Sequence, residues 1–436
     1  MGLRFYSTNN RNFEVTLKEA VMSGLCKDGG LYMPTEIPKM DENFFKKIIG
    51  MKFPDMAFEV AKNFFKDEIE NYVLEKIIYE SFNFDIPVFE VSKGRYVMEL
   101  YHGPTLAFKD FAARFMARLM TEFQKNSEKE LTILVATSGD TGSAVASAFL
   151  GLPNVNVIIL YPSKKISQIQ EKQLTTFGQN VTALEVDGTF DQCQALVKKA
   201  FLDKDICEKL SLASANSINI ARLIPQSFYY FYAYSSIIKS SSPNVEKEIV
   251  ISVPSGNFGN LTGGLIAKKM GLPITRFIAA TNENDIFTKY LETGVYESKP
   301  SKSTISNAMD VGNPSNFDRI LDLYNHDLEV IKEDILSFSF DDDETKNVIK
   351  EVFQKYNYIM DPHGAIAYLG LKKSAYPLGL FIETAHPAKF ADIVEPIINK
   401  KIGSQLQLEV AMSKEKKSIL TPNNFEDFKS FLMSRF

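Results

Sequence analysis

Short strands rich in β-branched residues alternate with helical stretches from about residue 96 onward, and this alternation constrains the fold more than any other feature. Strands that alternate with helices form parallel sheets covered on both faces, so the pattern predicts an open α/β architecture. A helical, aromatic segment at 223–238 separates two sets of strands, and two α/β domains with parallel-type sheets are therefore expected. The predicted strands occupy residues 131–136, 155–160, 181–186, 248–253, 274–280 and 378–384.

The first part of the chain has a different pattern. Apolar residues recur at helical spacing at 44–49 and 58–65, and another helix is predicted between Phe13 and Leu31, ending at Asp28 and two glycines. Because 436 residues are many for one core, several domains are expected. The prediction is a mainly helical N-terminal domain, a smaller α/β domain and a larger α/β domain, at residues 1–95, 96–240 and 241–436. An apolar stripe predicts a docked C-terminal helix that carries Phe425, Phe428 and Leu432.

Charge and motif content exclude several classes of protein. The 49 basic and 54 acidic residues give a net charge of −5, which does not indicate binding to nucleic acid or to a membrane surface. Apolar runs are too short to span a bilayer and the N-terminus lacks a signal-peptide core, so a cytoplasmic protein is expected. The four histidines lack metal-binding spacing, and no Walker A loop or GxGxxG motif occurs, so no metal, ATP or dinucleotide site is predicted. Three widely spaced cysteines are predicted to be reduced and buried, namely Cys26, Cys193 and Cys207.

A lysine inside an apolar run is the strongest chemical signal. Lys109 follows a Gly-Pro turn in segment 101–110 and precedes an amphipathic helical stretch. Burial favours the neutral amine, which can attack an aldehyde to form a Schiff base. The alternative is a lysine that bends from a turn into solvent, and the decision depends on the residues that accompany Lys109 elsewhere.

Two Gly-rich turns follow predicted strands, where ligands bind in open α/β sheets. In residues 254–260, two glycines and a helix start near Asn260 would form a cradle for a phosphate dianion, although a simple strand-to-helix turn is the alternative. Residues 137–143 offer hydroxyls and amides at a second helix start. These groups either bind an anion or cap the helix, through Asp140, Thr141 or Ser143.

Two further polar segments complete the pattern. Residues 214–222 contain amide and hydroxyl side chains and Arg222, whose guanidinium either grips a phosphate or carboxylate or forms a structural salt bridge. Thr384 ends the last strong strand. A Schiff-base amine, two anion cradles, an arginine and a hydroxyl at strand ends together indicate pyridoxal phosphate.

Longer motifs give the chain a resemblance to the threonine synthase family, whose members use pyridoxal phosphate and share the fold of cysteine synthase and the tryptophan synthase β chain. The motifs span nearly the whole chain, at residues 6–8, 25–34, 102–110, 136–143, 252–260, 309–316 and 384–390. The resemblance implies pyridoxal-phosphate fold type II and a carbon–oxygen lyase that converts O-phospho-L-homoserine and water to L-threonine and phosphate.

Site residues follow from the resemblance position by position. Lys109 is expected to be the Schiff-base lysine and the general base at the substrate Cα, and Thr384 the partner of the pyridine nitrogen. The cofactor phosphate is expected at Gly256, Asn257, Phe258, Gly259 and Asn260. Substrate contacts are expected from Thr137, Ser138 and Thr141, and contacts with its phosphate from Asn216, Ser217 and Arg222.

Two positions depart from the expected pattern. Asp140 stands where fold relatives place an asparagine beside the phenolic oxygen of the cofactor, so Asp140 is predicted to be protonated or turned toward backbone amides. Gly364 stands where a hydroxyl residue is expected, which leaves its neighbour His363 with core packing as its predicted role.

Two other functions remain possible at this point. One is a serine or threonine dehydratase, which has no use for a second anion site. The other is a catalytically silent relative that binds a small phosphorylated ligand, against which the intact Lys109 counts. A small-molecule substrate and a monomer or weak homodimer are expected.

Overall fold

The computed structural model describes residues 2–240 and 248–435, and these ranges form three β-sheets flanked by helices. The strands are β1 (Phe5–Ser7), β2 (Asn10–Val15), β3 (Tyr32–Pro34), β4 (Val88–Ser92), β5 (Arg95–Glu99), β6 (Leu131–Ala136), β7 (Val155–Pro162), β8 (Val181–Asp187), β9 (Ser211–Ser214), β10 (Ile249–Pro254), β11 (Arg276–Thr281), β12 (Ile335–Ser339), β13 (Leu378–Glu383) and β14 (Ser418–Pro422).

Helices lie between most of these strands, as expected for an α/β protein. They are α1 (Leu17–Ser23), α2 (Glu42–Lys47), α3 (Phe53–Phe65), α4 (Asn71–Ser81), α5 (Lys109–Gln124), α6 (Asp140–Phe149), α7 (Gln168–Thr175), α8 (Phe190–Leu202), α9 (Lys204–Lys209), α10 (Ile220–Leu223), α11 (Phe228–Ser240), α12 (Gly259–Lys269), α13 (Ile286–Thr293), α14 (Phe317–Leu323), α15 (Leu328–Asp334), α16 (Asp342–Tyr356), α17 (Pro362–Lys373), α18 (Ala391–Ile398), α19 (Leu406–Ser413) and α20 (Phe425–Arg435). Short 3₁₀ turns lie at Ile224–Ser227, Asn307–Met309 and Pro387–Phe390.

Two largely parallel sheets form the body of the molecule. The first has five strands in the order β14-β8-β7-β6-β9, all parallel. The second has six strands in the order β12-β11-β10-β13-β5-β4, of which only β4 runs antiparallel to its neighbour. Every residue of β6 and of β10 is buried, because helices cover both faces of each sheet. The predicted α/β fold class is confirmed, with strand limits shifted by one or two residues.

Sheet membership does not follow chain order. Strand β5 pairs with β13 in the six-stranded sheet, and the C-terminal strand β14 pairs with β8 in the five-stranded sheet. The predicted division into domains at 1–95, 96–240 and 241–436 stays a prediction, and its boundary after Ser240 adjoins residues 241–247, which lie outside the described residues.

The N-terminal region contains more strand than its sequence pattern predicted. A three-stranded antiparallel sheet, in the order β2-β1-β3, accompanies helices α1 to α4. Helix α1 starts at a capping box in which the Thr16 and Glu19 side chains each accept the other's backbone N–H. It ends at Gly24, whose φ of 72° stops the helix, so the predicted end at Asp28 was wrong.

Two smaller expectations had different outcomes. The C-terminal helix is confirmed as α20, which buries Phe428 and Leu432 against the five-stranded sheet. All three cysteines are free, but Cys207 is exposed, so the prediction that all three are buried was wrong. Among the described residues, the helices are too short or too polar to cross a membrane.

Candidate active site

Lys109 is the first residue of α5, at the place where the chain leaves β5 and crosses the end of β13. The segment before it runs antiparallel to residues 384–386, because the Phe108 N–H donates to the Thr384 carbonyl at 2.8 Å and the His386 N–H donates to the Leu106 carbonyl at 3.0 Å. Lys109 and Thr384 therefore lie beside the same strand end.

The Lys109 amine has no hydrogen bond or ion pair with any described residue, and it lies 5.8 Å from the centroid of the Phe108 ring. The side chain keeps only part of its surface exposed. Burial lowers the pKa of Lys109, nearby Asp140 opposes this shift, and the positive charges of Lys389 and Arg222 add to it. An amine in this position loses its proton readily and is available for covalent or acid–base chemistry.

Asp140 lies at the start of α6 and is ionised. Its carboxylate forms a fully enclosed ion pair with Lys389 at 2.7 Å, and Gln170 donates to the same oxygen at 3.4 Å. Although burial alone would raise the pKa of Asp140, the positive charges of Lys389 and Lys109 hold it below its usual range. The prediction of a protonated Asp140, or one turned toward backbone amides, was wrong, because Lys389 supplies the counter-ion.

Lys389 is a functional candidate that sequence reasoning missed. Its ammonium is fully buried and also donates to the Thr105 carbonyl at 3.0 Å. The residue stood inside the quoted motif at 384–390, but nothing in the sequence shows that it reaches Asp140, 249 positions earlier in the chain (389 − 140). The pair joins the start of α6 to the segment after β13.

The turn between β10 and α12 has the backbone required of an anion cradle. Phe258 adopts a left-handed conformation with φ of 59°, and α12 begins at Gly259. A Cβ on Gly256 would lie 2.8 Å from the Met309 Cα, so only glycine fits there. The free amides at the start of a helix favour a negatively charged group, which suits a phosphate.

Side chains hold this turn from outside. The Asn257 carbonyl accepts from the Asn316 side chain at 3.0 Å, and the Asn257 side chain accepts from the Ser315 amide at 3.2 Å. The Asn260 side-chain oxygen accepts from two tyrosine hydroxyls, Tyr229 at 2.6 Å and Tyr230 at 2.7 Å. The Asn260 amide nitrogen is buried with no partner among the described residues, so it can donate to a bound group.

Arg319 is a second residue without a sequence signal. Its guanidinium is fully buried and donates to Asn316 at 2.7 Å, to the Ile218 carbonyl at 2.7 Å and to the Tyr32 carbonyl at 3.1 Å. Burial lowers the pKa of Arg319 to about 9. Through Asn316, this arginine links the N-terminal region and the 216–218 segment to the turn that follows β10.

The turn after β6 is closed by Thr137. Its hydroxyl accepts the backbone N–H groups of Gly139 at 3.0 Å and Gly142 at 2.9 Å, and α6 starts at Asp140. Of the two alternatives for this segment, capping of α6 by Asp140, Thr141 or Ser143 is not what the structure shows, because Thr137 accepts these amides. Ser138 and Thr141 keep exposed surface and have no hydrogen-bond partner among the described residues, which leaves both hydroxyls free for a ligand.

The 214–222 segment lies beside that turn, because β9 pairs with β6. Asn216 donates to the Ala136 carbonyl at 3.1 Å, and its side-chain oxygen is buried without a partner. Arg222 is buried on α10, where one terminal nitrogen donates to the Ala215 carbonyl at 2.7 Å and Nε has no partner. Burial lowers the pKa of Arg222 to about 10, and no ion pair among the described residues compensates its charge.

These groups fit pyridoxal phosphate. Lys109 offers an amine whose pKa is lowered by burial, the turn at Gly256 offers a phosphate cradle, and Thr384 offers a hydroxyl at the end of β13. The unpartnered buried atoms of Asn260, Asn216 and Arg222 are donors and acceptors that a bound ligand would satisfy. No group of residues suited to holding a metal ion occurs within the described ranges.

Comparison with known proteins places this arrangement in context. Residues 90–380 match the family model described as pyridoxal-phosphate dependent enzyme, and residues 4–82 match the model described as threonine synthase N terminus. The threonine synthase of Buchnera aphidicola from Acyrthosiphon pisum is 44% identical over 437 residues, covering 99% of this chain and 100% of the relative.

Solved structures agree in fold along the whole chain. The crystal structure of threonine synthase from Escherichia coli has a TM-score of 0.92 and 41% identity, covering 99% of this chain and 100% of that one. The crystal structure of PLP-bound threonine synthase from Brucella melitensis has a TM-score of 0.93 and 33% identity, covering 99% of each chain.

Proposed function

The chain belongs to the threonine synthase family of pyridoxal-phosphate dependent enzymes, and we propose that it converts O-phospho-L-homoserine and water to L-threonine and phosphate. The observation that carries the choice of substrate is Arg222. A buried guanidinium with no ion pair among the described residues calls for an anion, in addition to the one that the turn after β10 would hold.

Four groups of residues would hold the cofactor. Lys109 would carry it covalently, the turn at Gly256–Asn260 would accept its phosphate, Thr384 would meet its ring nitrogen, and Asp140 would lie beside it. Bound pyridoxal phosphate supplies the electron sink that makes protons on the substrate carbons acidic.

Lys109 would act as the base. Because burial lowers the pKa of its amine and no described residue hydrogen-bonds to it, Lys109 could take the proton from the substrate Cα and then move a proton at Cβ, on the same face. The ion pair of Asp140 with Lys389 keeps a fixed pair of charges beside this amine, and its burial limits reorganisation during the proton transfers.

The phosphate that leaves from the substrate Cγ would be bound by the 216–222 segment. Arg222 supplies the charge, while Asn216 and Ser217 supply polar groups on the same side of the site. Ser138 and Thr141 have free hydroxyls that can orient the amino-acid part of the substrate. Water is needed at Cβ only after phosphate has left. The residues that line the site must therefore exclude water until that point.

The test is phosphate and threonine formation from O-phosphohomoserine by the purified protein with added pyridoxal phosphate. We expect equal amounts of both products, and none from Lys109→Ala. We expect Arg222→Gln to lose about 10- to 100-fold in kcat/KM, as is typical for a lost charged hydrogen bond. Arg118→Gln is the matched control, since Arg118 is paired with Glu80 away from the site.

Other outcomes would identify a different enzyme. Deamination of serine or threonine at a higher kcat/KM than O-phosphohomoserine would mean a dehydratase. Absence of any product together with a normal Lys109-dependent cofactor spectrum would mean a phospho-ligand binder. The monomer or weak homodimer state stays a prediction.

A further inference from the structure

The segment 361–364 contains a buried histidine to which the proposed reaction assigns no role. Asp361 is the N-cap of α17, and its carboxylate accepts the backbone N–H of His363 at 2.8 Å and of Gly364 at 3.3 Å. The same carboxylate lies 2.5 Å from His363 Nδ1. Asp361 therefore fixes both the helix start and the imidazole ring.

His363 is held in one tautomer. Because Asp361 is an acceptor, Nδ1 carries the proton, and Nε2 is left to accept the backbone N–H of Ala308 at 3.2 Å. The ring also packs edge-on against Phe390, with centroids 5.0 Å apart. Predicted core packing for His363 was thus incomplete, since both ring nitrogens are hydrogen-bonded.

Ala308 lies in the 3₁₀ turn directly behind the cofactor-phosphate loop. A Cβ on Gly256 would be 2.8 Å from the Met309 Cα and 3.1 Å from the Ala308 carbonyl oxygen. The position of this turn therefore sets how far the backbone at Gly256 can move.

The other end of the arrangement is Glu383, the last residue of β13. Its buried carboxyl occupies the space of a side chain at position 364, where a Cβ would lie 2.0 Å from it. Burial and the Asp361 charge raise the pKa of Glu383 well above its usual range, and its Oε2 accepts the Asp361 backbone N–H at 3.3 Å. Its neighbour Thr384 faces the candidate site.

We propose that His363 is a positioning residue, which holds the 307–309 turn against Gly256 and so fixes the loop that receives the cofactor phosphate. Glu383, Asp361, His363 and the Ala308 amide form a buried polar chain from the end of β13 to the back of that loop. The inference rests on the proposed function in one respect, namely that the loop at Gly256 binds the phosphate of pyridoxal phosphate.

Two substitutions separate positioning from packing. In His363→Gln the side-chain oxygen can take the place of Nε2 and accept the Ala308 N–H, whereas His363→Asn can replace only the Nδ1 donor to Asp361. We expect His363→Asn to bind pyridoxal phosphate about 10- to 100-fold more weakly, by analogy with partners behind metal ligands, and His363→Gln to stay near wild type. His326→Asn is the surface control, because His326 is exposed at a left-handed position that asparagine tolerates.

The second measurement is hydrogen exchange of residues 305–311 in the apoprotein, which does not depend on catalysis. Protection is expected in wild type and His363→Gln and rapid exchange in His363→Asn. Equal losses in both variants, or unchanged affinity and protection in His363→Asn, would overturn the proposal. If His363→Asn does not fold, fast exchange in His363→Gln would overturn it instead.

Gly256→Ala distinguishes this inference from the proposed function. If it leaves cofactor affinity unchanged, the loop does not bind the cofactor phosphate and the proposed site is wrong. If it weakens binding while His363→Asn does not, only the role of His363 is wrong.

Discussion

At the scale of single residues, the site is a set of charges taken out of water. Burial lowers the pKa of Lys109, the Asp140 carboxylate opposes this shift, and the nearby positive charges add to it. Lys109 was predictable, because a lysine in an apolar run between a Gly-Pro turn and a helix is unusual in itself. The role of Lys389 was not predictable, because it depends on an ion pair with Asp140, which follows a strand of the other sheet.

The neighbour of Lys109 gives a prediction for pH. Asp110 is fully buried and accepts from the Thr105 amide and hydroxyl, both at 2.8 Å. Burial raises its pKa to about 6. The folded protein therefore holds the Asp110 proton more tightly than the unfolded chain does. The protonated carboxyl contributes its full stabilisation to the fold below about pH 4, and this contribution is lost as the pH rises through 6.

Asp110→Asn should remove that dependence while keeping the shape of the side chain. We expect the unfolding free energy of wild type to fall by about 3 kcal/mol relative to the variant between pH 4 and pH 7. Urea unfolding at several pH values measures this, with the exposed Asp187→Asn as control. A difference that does not change with pH would show that Asp110 titrates normally.

At the scale of elements, each strand end delivers one part of the site and a second element fixes it. The strands were predictable from apolar runs, and β6 matches its predicted limits of 131–136. The starts of helices were less predictable than the strands. The start of α6, for example, is capped by Thr137, which lies outside the helix. A hydroxyl residue that closes a turn from the strand side has no local signature distinct from one that binds a ligand.

Gly364 shows how an element can depend on a distant side chain. The expected hydroxyl residue is excluded because the Glu383 carboxyl fills its place. We expect Gly364→Ser to lower the unfolding free energy by about 1–3 kcal/mol, the usual cost of overpacking a core.

A double-mutant cycle with Glu383→Ala checks the cause, since removing the carboxyl should restore part of that loss. Gly403→Ser is the matched control, because no atom lies within 4 Å of a Cβ there. Additive losses in the double variant would mean that the two side chains do not compete for space.

At the scale of the whole molecule, each of the two large sheets includes strands from a distant part of the chain. The sequence indicated two sets of strands but not which distant strands pair. The pairing of β14 with β8 and of β5 with β13 joins segments far apart in the chain. Strand pairing over such distances depends on three-dimensional packing, which local patterns do not encode.

The C-terminal helix should therefore stabilise the sheet that forms earlier in the chain. Phe428 of α20 is fully buried against the five-stranded sheet. We expect Phe428→Ala to cost about 3–5 kcal/mol, and hydrogen exchange to accelerate in β8 more than in β10. The partly buried Phe431→Ala should show a smaller effect, and equal acceleration in both sheets would contradict this assignment.

The pairing of early strands with late strands also determines when each sheet can be completed during synthesis on the ribosome. The strands β6 to β9 emerge early, but β8 lacks one of its two neighbours until β14, at residues 418–422, has been translated. Likewise β5 must wait for β13 at residues 378–383. Nascent chains are thus expected to have incomplete sheets, and to be open to chaperones, until β13 and β14 have been translated.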